Sequence, residues 1–328
     1  MRFTKLSDAS DKYNEDIYWI ALQDNQYLIS TSNVINYYIK NKSLKSLYNN
    51  NFNDLINLGM DSQKARKFIN YTKKLNFNNI QEIYNKLMKD DMSIVKYVDE
   101  EYPTNLRKID NPPILLFKKG KLHISNTNCI AIAGTRDPSH YGRIMSRKIA
   151  YDLTREGYTI VSGLAHGIDE WAHNGALEAK GNTIAVLAWM NPEYPTEHHQ
   201  LLQEIIINGA VVSEIFTRPD NRSARGKFVQ RNRITSGISS CVIAVESDEV
   251  GGTVHQVKIA LEQKKLVFAL KPKSNKRAMR GFKTFKDLGA IPITSSKDIL
   301  NTLKTRMAQS VIKKAKSQQV KLDKIVED

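Results

Sequence analysis

Apolar residues recur at three- and four-residue intervals over 32–40, 52–58 and 62–75, and Asn-rich breaks separate the runs. That spacing puts the apolar side chains on one face of a helix, so residues 1–95 read as a small all-helical domain. The character changes over 96–128, where Asp99-Glu100-Glu101-Tyr102-Pro103 and Asn111-Pro112-Pro113 form turns around a short strand at 114–117. This segment reads as a connection between domains. Near-continuous apolar runs then appear at 129–133, 159–161, 183–188, 210–213, 241–246 and 266–270. Helical patterns at 141–156, 168–180, 197–208, 227–239 and 254–264 alternate with them. Strands buried on both faces and separated by helices predict an α/β domain over 129–298, a Rossmann-like doubly wound and mostly parallel sheet. A C-terminal helix and a charged tail are expected over 299–328. There is no internal repeat.

Composition narrows the class. The 328 residues are 41% hydrophobic and 25% charged, ordinary values for a chain with a sizeable core. The longest apolar runs, such as 183–189, fall far short of the roughly 18 residues needed to cross a membrane. The first 16 residues are polar and carry no leader pattern, so a cytoplasmic protein without a membrane partner is expected. Cys129 and Cys241 cannot by themselves build a disulfide framework or a four-ligand zinc site, and no metal or cofactor is expected. Forty-nine Lys and Arg against 34 Asp and Glu leave a formal charge of +15. That excess suits a polyanion such as nucleic acid or anionic lipid, or reflects a Lys- and Asn-rich genome.

The placement of charge and glycine is more informative. In doubly wound sheets, ligands bind beyond the carboxyl ends of the strands. The first run ends in Gly134-Thr135-Arg136, ahead of Ser139-His140-Tyr141-Gly142. A tight turn, a hydroxyl, a guanidinium and free helix-start amides suit a phosphate, or simply join strand to helix. The spaced glycines of a dinucleotide fingerprint and the Walker loop are both missing. The second run ends in Ser162-Gly163-Leu164-Ala165-His166-Gly167-Ile168-Asp169, where two glycines permit close backbone approach and His166 is placed in the loop. Residues 218–233 hold Arg218, Arg222, Arg225, Lys227, Arg231 and Arg233 against the single acid Asp220, with Phe228 among them. Cations that track phosphates beside an aromatic face are the combination used for single strands, although a solvated basic face has the same composition. Gly251-Gly252-Thr253 opens a further helix and is a second candidate anion cradle. Lys271, Lys273, Lys276, Arg277 and Arg280 follow as a basic loop without an acid. In the helical region, Leu55-Ile56-Asn57-Leu58-Gly59-Met60 reads as a helix-hairpin-helix-like turn or as a plain connection.

These blocks, in order, resemble the DprA/Smf family of DNA-processing proteins. The resemblance runs from Tyr102-Pro103, Asn111-Pro112-Pro113 and Gly120 through Gly134-Thr135-Arg136 and Tyr141-Gly142 to the 162–169 block. Ala172-His173, Gly175-Ala176-Leu177, Tyr194-Pro195, Phe228, Arg231-Asn232-Arg233-Ile234, Gly237 and Gly252-Thr253 continue it. It covers roughly 97–270, and the helical domain matches the family's SAM- or helix-hairpin-helix-like module. The resemblance implies a homodimeric mediator that binds single-stranded DNA and loads a RecA-class recombinase, in natural transformation or recombinational repair, without performing chemistry. It assigns Arg136, Lys227, Phe228, Arg231 and Arg233 to DNA contact. Gly134, Thr135, Ser162, Gly163, His166, Asn232, Gly252 and Thr253 would shape the pocket, Asn232 by fixing its loop. Many members carry Arg where His166 stands, and many carry a carboxy-terminal winged helix that this sequence does not show. A rival reading is a nucleotide-binding enzyme similar to the LOG phosphoribohydrolases, whose Gly-Gly-x-Gly-Thr loop Gly251-Gly252-Thr253 partly matches. Glu262 lies too far along its helix to be that family's acid.

Overall fold

The computed structural model describes residues 14–23, 28–121, 128–191, 198–306 and 308–309. Tyr194-Pro195 and the charged tail lie outside the described residues.

The Asn-rich breaks of the amino-terminal region are helix starts. Among the described residues, five α-helices form there: α1 (Glu15–Gln23), α2 (Thr31–Asn41), α3 (Phe52–Asn57), α4 (Ser62–Lys74) and α5 (Phe77–Lys89). Asn51 and Asp54 form a reciprocal capping box on α3, Asp61 caps α4 and Asn76 caps α5. Each side-chain oxygen satisfies an amide that the first turn leaves without a partner. Gly59, at φ +83°, ends α3. Its N–H reaches Ile56 O at 2.9 Å and the Met60 N–H reaches Leu55 O at 3.1 Å, the bond pair of a Schellman cap. The glycine is therefore a helix stop leading directly into α4.

Among the described residues, the remaining chain contributes nine strands to one sheet, in the order β1-β2-β6-β5-β4-β3-β7-β8-β9. The strands are β1 (Met92–Lys96), β2 (Leu115–Lys119), β3 (Cys129–Ala133), β4 (Thr159–Ser162), β5 (Thr183–Val186), β6 (Gly209–Ser213), β7 (Cys241–Ala244), β8 (Leu266–Leu270) and β9 (Ile291–Ile293). β3 to β9 pair in parallel, while β2 pairs antiparallel with β6 and β1 antiparallel with β2. The segment expected to connect two domains thus extends the sheet at one edge. β2 shows why: Leu115 and Phe117 join the core shared with the amino-terminal helices, and Leu116 joins the core on the opposite face. With a side-chain period of two, a five-residue strand serves both layers.

The crossover helices are α6 (His140–Arg155), α7 (Ile168–Glu178), α8 (His199–Asn208), α9 (Asn221–Ile238), α10 (Gly252–Glu262) and α11 (Lys276–Asp287). α6 and α7 pack with Ile130, Ile132 and Ile160 on one face of the sheet. α9 and α10 pack against the other face through Ile234, Ile238, Val254 and Val257. A last helix runs over 296–306. Two expectations are corrected. The basic loop after 270 is helical from Lys276 onward, so Lys276, Arg277 and Arg280 lie on α11, whose Ala278, Gly281 and Phe285 are buried one helical turn apart. β9 is an additional edge strand, the position where Pro292 is tolerated because no neighbour needs its missing N–H. Among the described residues, no helix is long and apolar enough to cross a membrane.

Candidate nucleic-acid interface

From β3 the chain steps outward through β4, β5 and β6, then returns to the other side of β3 to lay down β7. Loops that leave neighbouring strands in opposite directions part at such a point and open a crevice beyond the strand ends. An open cleft of ≈ 830 Å³ lies there. Gly134, Thr135 and Arg136 after β3, Gly163 after β4, and Gly251, Gly252 and Thr253 at the start of α10 line it. α9 supplies Arg225, Phe228, Val229, Arg231, Asn232 and Thr235.

α9 is the element the sequence reading placed least well. Asp220, the single acid of the basic stretch, is its N-cap: the carboxylate accepts from Ser223 N at 2.9 Å. The helix therefore begins at Asn221, not near 227, and its cations occupy a helix instead of a loop. Arg225, Phe228, Arg231 or Asn232, and Thr235 then recur at helical spacing and form one stripe facing the cleft. That periodicity is the signal that marks Arg225 and Thr235, which the motif reading did not assign to the site. Val229, Asp169, Ser247, Asp248, His255, Gln256 and Arg277 also line the cleft without having been foreseen.

The side chains divide into an exposed rim and a fixed floor. Arg136 and Arg225 are exposed. The Arg136 guanidinium stands 5.8 Å from the centre of the half-buried Phe228 ring, which packs edge-on against Trp189 at 5.2 Å. Arg231 belongs to the floor. It donates to the main-chain oxygen of Val186 and lies against Gly163, where any Cβ would overlap its guanidinium. Asp169 accepts from Gly163 N at 3.1 Å. Burial raises the Asp169 carboxyl and lowers the Arg231 guanidinium from their ordinary ranges, and the charge of each partly offsets the shift of the other.

Four sequence assignments, Arg233, Lys227, Ser162 and His166, are relocated, and Asn232 keeps its place in the cleft lining with another role. Arg233 points away from the cleft into an ion pair with Glu214, and the two side chains are only 15% and 4% exposed. Lys227 reaches Gln230 Oε1 at 3.1 Å and flanks the cleft without lining it. Ser162 is buried and donates to Ile132 O at 2.6 Å, tying β4 to β3. Asn232 fixes no loop; its main-chain oxygen accepts from Gln256 Nε2 at 3.0 Å, joining α9 to α10. His166 lies outside the cleft, beside Glu170 and His198.

The two candidate anion cradles also separate. The start of α6 is occupied: Ser139 Oγ accepts from Gly142 N at 3.1 Å, and the Glu246 carboxylate accepts from Ser139 N at 2.8 Å. Those amides are not available to a phosphate. The start of α10 is open. Gly251, at φ +147°, caps it without a side chain, and a Cβ at Gly251 or Gly252 would meet no heavy atom within 4 Å. Uncapped first-turn amides and the helix dipole favour negative charge at this wall of the cleft. Two cations of α11, Arg277 and Arg280, meet acids from outside their own run. Arg280 binds Asp248 through two bonds of 3.1 Å, and Arg277 lies 3.3 Å from Asp248 and 3.9 Å from Asp137.

The sequence profile described as DNA recombination-mediator protein A matches residues 93–304. The DNA processing protein DprA of Bacillus subtilis (strain 168) is 34% identical over 241 residues, 71% of this chain and 80% of that protein. The X-ray structure of DprA from Streptococcus pneumoniae superposes with a TM-score of 0.74 at 26% identity, covering 88% of this chain and 97% of that one. DprA from Helicobacter pylori, whose structure is described in terms of its single-stranded DNA binding mode, gives a TM-score of 0.57 at 28% identity, covering 66% of this chain and 96% of that one. With the profile spanning the sheet from β1 to the last helix, and the same sheet seen in a solved relative, the chain belongs to the DNA recombination-mediator protein A family, the DprA/Smf proteins.

Proposed function

We propose that this protein binds single-stranded DNA along the cleft and acts there as a non-catalytic recombination mediator. The observation that carries the reading is the cleft wall formed by Arg136, Phe228 and Arg225 opposite the open start of α10. Exposed guanidiniums neutralise phosphates, the Phe228 ring offers a stacking face, and glycine amides approach the backbone without a side chain between. Arg231 and Gly163 hold the floor, and Lys227 adds positive charge at the flank. None of these contacts reads a base edge, so binding is independent of sequence. The single-stranded DNA binding described for the Helicobacter pylori relative supports the same ligand.

In this reading, two copies hold a strand on which a RecA-class recombinase assembles. The test is fluorescence anisotropy with a labelled oligo-dT strand and a matched duplex, each across a salt series. Tighter binding to the single strand with a steep salt slope is the expected result. Equal, weak binding to both overturns it. Recombinase delivery is then read as faster filament assembly on the bound strand, and dimerisation as the mass in solution.

A further inference from the structure

Away from the cleft, the loop after β4 and the start of α8 bring together three side chains that the DNA-binding reading does not use. His166 Nδ1 lies 3.1 Å from Glu170 Oε2, and His198 Nε2 lies 3.9 Å from the same oxygen. One donor atom from each of the three residues falls within 4.8 Å of the others. The two imidazoles are stacked, with centroids 5.6 Å apart and planes at 15°. His198 is only 8% exposed, and its Nε2 is buried with no hydrogen-bond partner among the described residues. A buried ring nitrogen aimed at a carboxylate it does not bond is an unmet electrostatic demand.

We propose that His166, Glu170 and His198 form a binding site for a divalent transition-metal ion of the Zn²⁺ class. Bonds of about 2.0–2.2 Å in tetrahedral geometry put neighbouring ligand atoms roughly 3.3–3.6 Å apart. The two separations from Glu170 Oε2 bracket that distance, so small side-chain rotations close the site. Two imidazoles and one carboxylate suit Zn²⁺, Co²⁺, Ni²⁺ or Cu²⁺ and disfavour Ca²⁺ and Mg²⁺, which take oxygen ligands. Glu170 sits in the first turn of α7. It also accepts from Gly167 N at 3.3 Å, which orients the carboxylate. His166 is 68% exposed, so the fourth position faces solvent. The ion would fasten the first residue ahead of α8 to the start of α7, one residue from the Asp169 that holds Gly163 in the cleft floor.

The test uses the full chain, freed of any affinity tag and stripped with a chelator, titrated with Zn²⁺ against a chromophoric competitor. One Zn²⁺ per chain is expected, with a rise in Tm on binding. His166→Ala, an exposed substitution that leaves the core untouched, is expected to weaken binding at least about tenfold, as is Glu170→Gln. His140→Ala, at a histidine outside the cluster, is expected to change nothing. Co²⁺ substitution is expected to give the visible absorption of a tetrahedral site in the wild type and not in His166→Ala. Binding unaltered by His166→Ala, or less than one ion per chain at micromolar Zn²⁺, overturns the proposal and leaves an ordinary His–Glu ion pair.

Discussion

The guanidinium of Arg231 lies against Gly163 and donates to the main-chain oxygen of Val186, so a cation from α9 is seated on the ends of β4 and β5. Glycine at 163 is what admits it. Gly163→Ala is expected to push the guanidinium off Val186 and leave a buried charge without its acceptor, at a cost of about 1–3 kcal/mol. Urea denaturation reads the loss. Single-strand affinity should fall with it, because Arg231 then intrudes into the cleft.

Arg136 and Arg225 stand on the rim and belong to no buried network. Replacing both with Ala is expected to leave Tm nearly unchanged and to lower the salt slope of single-strand binding by about two units, roughly one per lost phosphate contact. Anisotropy over a salt series measures it, and an unchanged slope removes these residues from the interface.

Phe228 has two roles to separate, since its ring packs on Trp189 as well as facing the cleft. Phe228→Leu keeps most of the apolar contact and removes the stacking face. Its expected effect is a loss of about 1–3 kcal/mol in binding, with a smaller effect on stability.

The Arg233–Glu214 pair behaves oppositely. Both side chains are largely buried, so Glu214→Gln strands a charge and is expected to cost about 3–5 kcal/mol of stability. At a temperature where the variant remains folded, its salt slope for DNA should equal that of the wild type. A reduced slope would return Arg233 to the DNA-contacting set.

Lys265 gives a pH dependence. Burial, with Lys108 nearby, pulls its ammonium down to about 8, against about 10.4 for an unfolded lysine. Between these values the unfolded chain binds more protons, so stability rises with pH across that window. The contribution is full above the unfolded value and is lost as pH falls to about 8. Lys265→Met is expected to raise the urea midpoint at pH 7.5, and its advantage should shrink by pH 9.5.

Much of this architecture is written in local pattern. The alternation of apolar runs with helical spacing from Cys129 onward specifies a parallel sheet, because strands covered on both faces have no polar side to show. The Asn and Asp residues at 51, 61, 76 and 220 mark helix starts for a local reason: their side chains bond amides two or three residues ahead. Gly134, Arg136, Phe228 and Gly252 are legible as cleft residues, since strand ends and helix starts are sequence features. Which cation faces the cleft was settled by tertiary structure. Arg231 and Arg233 are two residues apart on one helix, roughly 200° around its axis, so one meets Gly163 while the other meets Glu214. Glu246 closes the start of α6 from the segment after β7, more than a hundred residues along the chain, and no local window contains both partners. His166 and His198 likewise meet only when α8 packs beside α7. Sequence determined which residues carry charge, rings and flexible backbone; packing decided which charges were already answered within the protein and which were left for a ligand.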